Sequence, residues 1–325
     1  MFETVELQEV PTDESFDEHA YLAANPDVAA AVASGALRSG SAHFRKFGRA
    51  EGRRQLSPIA RAPAHALEQI RALRANKLAS LAPLLSREPE SIEGGLWSFL
   101  PESALADGLL DEPDGISENG YDCETLELLR GCAKGLVLDV GAGRRPVYFS
   151  NVVNFEISRY PTTDVLGDAA NLPFRDGSFD GVLSIAVLEH VRDPFRCAAE
   201  LCRVLKPGGW LKCCVPFLQP LHGFPHHYFN MTHEGLRVLF EPYLVIERQE
   251  VTPPLHPIWS ISWQLRTWAK ALPAKARKQF LRTRVQDLIG HPAALLNEPF
   301  ASDLPREKLF ELAAATLLIA RKPHR

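Results

Sequence analysis

The feature that most constrains the fold is the alternation of short apolar runs with helical segments in the second part of the chain. The apolar runs cover residues 136–140, 150–155, 164–167, 181–186 and 209–215. Between them, helical periodicity is clearest over 194–205, where apolar side chains recur three or four residues apart. Strands that alternate with helices predict an α/β domain with a parallel sheet, and we place it from residue 118 to residue 325.

Composition excludes several classes of protein. The 325 residues are 46% hydrophobic and carry a net charge of −4, so we expect no nucleic-acid partner. No apolar run is long enough to cross a bilayer. The first 20 residues contain seven acidic side chains and no Lys or Arg, the reverse of a secretory signal. The six cysteines form no CxxC pair, which favours free thiols and a cytoplasmic location.

The first part of the chain divides into three segments by pattern. We expect residues 1–15 to be an acidic flexible tail, 16–58 a small helical module, and 59–117 a helical linker followed by a loop. Asn25-Pro26 is typical of a helix start. The stretch YLAANPDVAAAVASGALRSGSAHFRKFGRAEGRR (21–54) resembles a helical module found beside catalytic domains in bacterial surface-glycan enzymes. The resemblance leaves the binding partner of the module open.

A glycine-rich turn follows the first strand of the α/β domain. The run Val137–Val140 continues into Gly141-Ala142-Gly143, and such glycines let a ligand approach the backbone at the carboxyl end of a sheet. The third glycine of a dinucleotide fingerprint would fall at Pro146, and the short link to the next strand leaves little room for a crossover helix. Because a pyrophosphate needs that helix amino terminus, a dinucleotide is disfavoured.

Two carboxylates follow the next two strands. Glu156 ends the second strand, seventeen residues after Asp139, where a carboxylate can accept hydrogen bonds from both hydroxyls of a ribose. Asp168 follows the third strand and is placed to accept from an adenine amino group. A nucleoside is therefore the ligand that this edge of the sheet predicts.

The segments VLDVGAG, GDAANLPF, DGSFDGVLSIAVLEHV and ELCRVLKPGGWL together resemble a class I S-adenosylmethionine-dependent methyltransferase, in the family's order and spacing. The resemblance covers residues 118–325 and implies a Rossmann-like sheet of seven strands. It implies that the last two strands, 243–249 and 313–321, form an antiparallel hairpin, with 252–310 inserted before the last strand as a helical lid.

The resemblance also implies a binding site for S-adenosylmethionine. Its predicted residues are Asp139, Gly141, Ala142, Gly143, Glu156, Asp168, Ala169, Ala186 and Val187. Arg145 stands where the family often has a third small residue, and either Arg144 or Arg145 could bind the methionine carboxylate.

A histidine-rich segment follows the fifth strand, where this fold builds its acceptor site. Because a hydroxyl acceptor must lose its proton, we predict His222 as the catalytic base, with a role in stabilising the loop as the alternative. Three further histidines follow it: His226, His227 and His233. No carboxylate stands among them before Glu234 and the spacing matches no standard zinc pattern, so we expect no metal.

These observations predict O-methylation of a sugar or glycan precursor. One alternative is a methyltransferase for a prenylated quinone or other lipid, since Trp259, Trp263 and Trp268 precede a basic run to Arg284. Residues 259–284 are accordingly the candidate contact with the surface of the inner membrane. The other alternative is a scaffold protein that binds S-adenosylmethionine without turnover.

Overall fold

The computed structural model describes residues 2–56, 64–101, 120–223, 226–289 and 295–314. Its strands are β1 (Thr4–Glu6), β2 (Gln8–Glu9), β3 (Gln55–Leu56), β4 (Ser91–Glu93), β5 (Leu96–Ser98), β6 (Val137–Val140), β7 (Val147–Phe149), β8 (Val152–Glu156), β9 (Val165–Leu166), β10 (Phe179–Ile185) and β11 (Leu205–Cys214). Its α-helices are α1 (Glu18–Ala24), α2 (Pro26–Ala33), α3 (Gly40–His43), α4 (Ala64–Leu81), α5 (Cys123–Gly131), α6 (Pro194–Val204), α7 (His233–Phe240), α8 (Pro257–Ala271), α9 (Ala274–Phe280), α10 (Val285–Leu288), α11 (Pro299–Ser302) and α12 (Arg306–Leu312).

Seven strands form one Rossmann-like α/β sheet in the order β11-β10-β6-β8-β9-β5-β4. Every neighbouring pair is parallel except β4 and β5. All residues of β6 and β8 are buried, because the central strands of a parallel sheet are covered on both faces. The five predicted apolar runs all become strands of this sheet, and the predicted helix over 194–205 is α6.

The edge of the sheet differs from the prediction. Strands β4 and β5, in a region predicted to be a loop, provide the two outermost strands beside β9. The predicted strand 243–249 is a turn followed by irregular backbone, and 315–321 of the predicted last strand lie outside the described residues. Residues 91–98 therefore complete the seven-stranded sheet. The predicted domain boundary at residue 118 is wrong because it separates β4 and β5 from the other five strands.

The N-terminal residues are part of the α/β body. Strand β1 pairs antiparallel with β7, and Val5 and Leu7 are buried against α4 and Tyr148. The prediction of a flexible tail was wrong here because acidic side chains alternate with these apolar ones, so that one face of the strand packs while the other is solvated. As predicted, residues 141–151 contain no crossover helix, and β7 occupies that link.

The N-terminal helices form a small unit with its own core. Tyr21, Val28 and Phe44 are buried together, and the Tyr21 hydroxyl lies 3.0 Å from Nδ1 of the His43 ring. Helix α2 begins at Pro26 as predicted. Strand β2 pairs with β3, so the two ends of this helical unit are held side by side.

Residues 257–312 form five helices in their described part, in agreement with the predicted helical insertion. Trp268 packs on Phe280 and donates a hydrogen bond from Nε1 to the Phe300 carbonyl oxygen at 2.6 Å. Trp259, by contrast, is 59% exposed. Among the described residues no helix combines the length and apolar character needed to cross a membrane.

Candidate cofactor and acceptor site

A cavity of about 360 Å³ lies at the carboxyl ends of the central strands. Its walls include the glycine turn after β6, Glu156 at the end of β8 and Asp168 after β9. The same cavity is also lined by His190, His222 and Trp263. The volume suits a ligand of the size of a nucleoside derivative.

The turn after β6 requires glycine at position 141. Gly141 has a φ of +69°, and a Cβ added there would lie 2.3 Å from Cγ2 of Val187. Ala186, which also lines the cavity, has a φ of +57°, a conformation that costs free energy in a residue with a Cβ. The backbone at both positions is thus held in a special conformation around the cavity.

Glu156 places its carboxylate beside the glycine turn. Oε1 accepts a hydrogen bond from the Gly143 amide at 2.7 Å, and Oε2 accepts from the Ile157 amide at 2.8 Å. Burial raises the pKa of Glu156, these amides oppose the rise, and the negative charge of Asp139 adds to it. A buried carboxylate on a cavity wall is suited to accept hydrogen bonds from the hydroxyls of a ligand.

The structure brings most of the predicted cofactor residues to this cavity. Those on its walls are Gly141, Gly143, Glu156, Asp168, Ala169, Ala186 and Val187. Ala142 and Asp139 are fully buried and are not wall residues. Asp168 accepts a hydrogen bond from the Ala170 amide at 2.8 Å and has an exposed side chain at the rim.

Asp139 is held by two neighbours. Oδ2 accepts from Nε of Arg145 at 2.9 Å and from the Tyr121 hydroxyl at 2.5 Å. Arg145 is therefore a structural partner of Asp139, which disagrees with a role for it on the methionine carboxylate. Oδ1 of Asp139 has no hydrogen-bond partner among the described residues, but Asp139 does not line the cavity. The features on the wall that fit S-adenosylmethionine are the buried carboxylate of Glu156, which suits the ribose, and the turn at Gly141, where a Cβ would meet Val187.

The acceptor end contains a carboxylate that the sequence reasoning missed. Glu189 is fully buried, and its Oε1 lies 3.7 Å from Nε2 of His190 and 4.0 Å from Nε2 of His222. Burial raises the pKa of Glu189 to about 7. The available signal was the pair Glu189-His190 directly after the fourth strand, at the same sheet edge as the glycine turn.

Both of these histidines are oriented by backbone carbonyls. Nδ1 of His190 donates to the His226 carbonyl oxygen and Nδ1 of His222 to that of Pro220, each at 2.7 Å. A carbonyl oxygen can only accept, so each Nδ1 carries the proton and each Nε2 holds a lone pair. Burial lowers the pKa of both rings, which favours the neutral form.

The remaining histidines have other surroundings. Nδ1 of His227 accepts from the His222 amide at 3.1 Å, and its Nε2 lies 2.8 Å from Oδ1 of Asn230, so this ring supports the loop. His233 is on α7 with a side chain that is 75% exposed. His226 contributes its backbone carbonyl to the site.

Fold and cavity define a Rossmann-like domain with a site for a nucleoside-type ligand. Residues 130–213 match the family described as Methyltransferase domain. This part of the chain is similar to that family.

Relatives of known name align with parts of the chain. Norajmaline N-methyltransferase of Rauvolfia serpentina is 51% identical over 43 residues, which are 13% of this chain and 15% of that protein. Demethylmenaquinone methyltransferase of Renibacterium salmoninarum is 35% identical over 120 residues, 37% of this chain and 41% of that protein. The chain thus spans less than half of the length of these two relatives.

Among solved structures, phosphoethanolamine N-methyltransferase 2 of Haemonchus contortus in complex with S-adenosyl-L-methionine matches with a TM-score of 0.32 and 16% identity. The match covers 63% of this chain and 55% of that chain.

Proposed function

We propose that the protein transfers a methyl group from S-adenosylmethionine to a hydroxyl group of a sugar or glycan precursor. The observation that carries the proposal is that one cavity joins a nucleoside-type site, marked by Glu156 and Asp168, to an acceptor end marked by His190 and His222. A donor and an acceptor bound at the two ends of one cavity can meet inside it. Alignment of the two reactants supplies much of the rate of a displacement reaction.

The cofactor end is assigned by the groups it offers. Glu156 accepts hydrogen bonds from the ribose hydroxyls, and Asp168 accepts from the adenine amino group. S-adenosylmethionine supplies a methyl group on a sulfonium, so the acceptor oxygen gains a bond to the methyl carbon as the sulfur–carbon bond breaks and S-adenosylhomocysteine is left. Ala186 and Val187 provide the apolar floor of this end of the cavity.

The acceptor hydroxyl also has to lose a proton. His222 is the candidate base, because its Nδ1 is occupied by the Pro220 carbonyl oxygen and its Nε2 keeps a lone pair on the cavity side. The lowered pKa of the His222 ring keeps the ring neutral at physiological pH, so its Nε2 can accept a proton.

A sugar suits the mixed character of the acceptor end. The Trp263 ring lies 5.1 Å from the His222 ring, centroid to centroid, so an apolar face stands beside hydrogen-bonding imidazoles. A sugar ring offers both an apolar C–H face and hydroxyl groups. The resemblance of 21–54 to a module of surface-glycan enzymes supports the same class of acceptor.

A second candidate is a prenylated quinone or another lipid. It is favoured by large exposed apolar side chains on α8, which also carries Trp263, namely Ile258, Trp259 and Ile261. These residues would lie against a membrane that presents the acceptor, and the basic run to Arg284 would contact anionic lipid headgroups. Sedimentation with anionic liposomes at low salt tests this contact, and a protein that stays in the supernatant contradicts it.

The test of the proposed function begins with calorimetric titration of S-adenosylmethionine into the full chain. Purified protein is then incubated with S-adenosylmethionine and either sugar nucleotides or prenylated quinones, and methylated products are identified by mass spectrometry. Products from sugar nucleotides support the proposal, and products from quinones replace it with the second candidate. Binding without turnover of either class would make the protein a scaffold, and no binding by folded protein would overturn the methyltransferase proposal.

A further inference from the structure

We infer that Glu189, His190 and His222 form a binding site for a divalent transition-metal ion at the acceptor end of the cavity. The site itself stands on the geometry of these three side chains, and its role in activating an acceptor rests on the proposed function. The sequence reasoning argued against a metal because no carboxylate accompanies the histidines locally. The fold supplies one from the short 3-10 helix after β10, more than thirty residues earlier in the chain.

The three ligand atoms are near coordination distance of one another. One carboxylate oxygen and one ring nitrogen from each histidine all lie within 4.8 Å of each other. Around an ion with bonds of about 2.0–2.1 Å, neighbouring ligand atoms are about 3.3 Å apart. The observed distances of 3.7 and 4.0 Å from Glu189 to the two rings therefore require shifts of less than about 1 Å, within reach of side-chain rotation.

The orientation of the two rings is that of metal ligands. Each imidazole donates Nδ1–H to a backbone carbonyl oxygen at 2.7 Å, from His190 to His226 and from His222 to Pro220. Metal-binding histidines almost always hold their second ring nitrogen in this way, because the hydrogen bond fixes the tautomer and aims the other lone pair. Both lone pairs here converge on the same carboxylate.

Without a bound ion, the ionised side chain of Glu189 would destabilise the folded protein. Its side chain has no exposed surface, and neither carboxylate oxygen has a hydrogen-bond partner among the described residues. A buried carboxylate with no hydrogen bonds is strongly disfavoured, whereas the same group opposite a cation is stabilised.

The loop that carries His222 is fitted closely to His190. Gly223 has a φ of +81°, and a Cβ added there would lie 2.2 Å from Cε1 of His190. The backbone therefore passes directly over the ring, and only glycine allows this approach. This contact holds the loop ligand and the strand-end ligands in one fixed arrangement.

Two histidines and one glutamate form a donor set that proteins use for Zn²⁺, and three protein ligands leave a coordination position open. A hydroxyl in that position would lose its proton more readily, because the cation stabilises the anionic form. When the ion is bound, Nε2 of His222 coordinates it and cannot accept a proton. His222 therefore acts as the base only in the metal-free protein.

The experiment measures metal binding by the full chain. Protein freed of metal by chelation and dialysis is titrated calorimetrically with ZnCl₂ alone or MnCl₂ alone, and bound metal is counted by elemental analysis. We expect one ion per chain, with the affinity reduced at least about a hundredfold in Glu189→Gln and in His222→Ala. The matched control is His233→Ala, a histidine outside the cluster, which should bind like the wild type.

Circular dichroism and thermal denaturation of each variant show whether it is folded. Wild-type protein that binds no stoichiometric ion overturns the inference, as does a folded Glu189→Gln variant that binds as tightly as the wild type. Stoichiometric binding that needs Glu189, in a protein that methylates no acceptor, would uphold the metal site and contradict the proposed function. Turnover by a protein that binds no ion in the calorimetric titration would uphold the function and contradict the metal site.

Discussion

Nζ of Lys77 lies 2.7 Å from Oδ2 of Asp164, and neither side chain has any exposed surface. Asp164 also accepts from the Tyr148 hydroxyl at 2.5 Å and from the Asn154 amide at 2.9 Å. Arg74 forms a second, longer ion pair with the same carboxylate. This buried cluster attaches α4 to the sheet just before β9, so the N-terminal half of the chain shapes the body that carries the cavity.

Removal of Lys77 should destabilise the protein strongly. Lys77→Met leaves Asp164 buried with only the weaker Arg74 pair, and loss of one partner of a buried ion pair costs about 3 kcal/mol or more. Chemical denaturation measures this loss. The control is Arg284→Met in the exposed pair with Asp287, for which we expect less than about 1 kcal/mol. Equal small losses in both variants would show that the buried pair contributes no more than a surface pair.

The N-terminal strand should contribute to the stability of the α/β body. Leu7 is buried against the surface that Ile70 and Tyr148 form, so Leu7→Ala should lower the free energy of unfolding by about 2 to 5 kcal/mol. Leu296→Ala, at an exposed position, should change it by less than about 0.5 kcal/mol. A wild-type-like denaturation midpoint for Leu7→Ala would mean that the strand is not docked in solution.

Glu156 should dominate the affinity for S-adenosylmethionine. Glu156→Ala removes two charge-assisted hydrogen bonds to the ribose, which together are worth about 3 kcal/mol or more, or on the order of a hundredfold in Kd. Isothermal titration calorimetry measures the loss, with Glu234→Ala as a control on an exposed carboxylate. A folded Glu156→Ala variant with unchanged Kd would remove the carboxylate from the site.

The same affinity should fall at acidic pH. Burial raises the pKa of Glu156, with the charge of Asp139 adding to it, so the group takes up a proton at a higher pH than an ordinary glutamate. The protonated form loses its charge and an acceptor oxygen, and binding therefore weakens as the pH falls towards this raised pKa. Calorimetry across this range should show the decline in the wild type and not in Glu156→Gln. A pH-independent wild-type Kd would be inconsistent with ribose binding by the ionised carboxylate.

Gly141 should tolerate no side chain. In Gly141→Ala the new Cβ meets Val187 and the φ is unfavourable, so we expect lost stability and S-adenosylmethionine binding at least tenfold weaker. Gly52 has a φ of +64° with open space around it, so Gly52→Ala should cost about 1–2 kcal/mol of stability and leave binding intact. Partial recovery of binding in Gly141→Ala combined with Val187→Ala would identify the clash as the cause, and unchanged binding in Gly141→Ala alone would contradict the prediction.

Local patterns predicted the central sheet and one end of the cavity. Apolar runs mark buried strands, and the carboxyl ends of parallel strands share one edge of a sheet, so the order of residues alone places Gly141, Glu156 and Asp168 together. The short link after β6 was also visible in the spacing. All of these features depend on residues that are neighbours in the chain or on the direction of the strands.

The remaining features of the fold and the site are visible only in the tertiary structure, because they depend on contacts between residues far apart in sequence. Strands β4 and β5 have three residues each, too few for a periodic signal, and only their pairing beside β9 identifies them. Asp139 is held by Arg145 and Tyr121, which chain order could not show. Glu189 meets His222 only because a strand end and a loop converge over the cavity. The spacing of apolar residues shows which side of a helix or strand is buried. Which other part of the protein covers that side depends on how the whole chain packs.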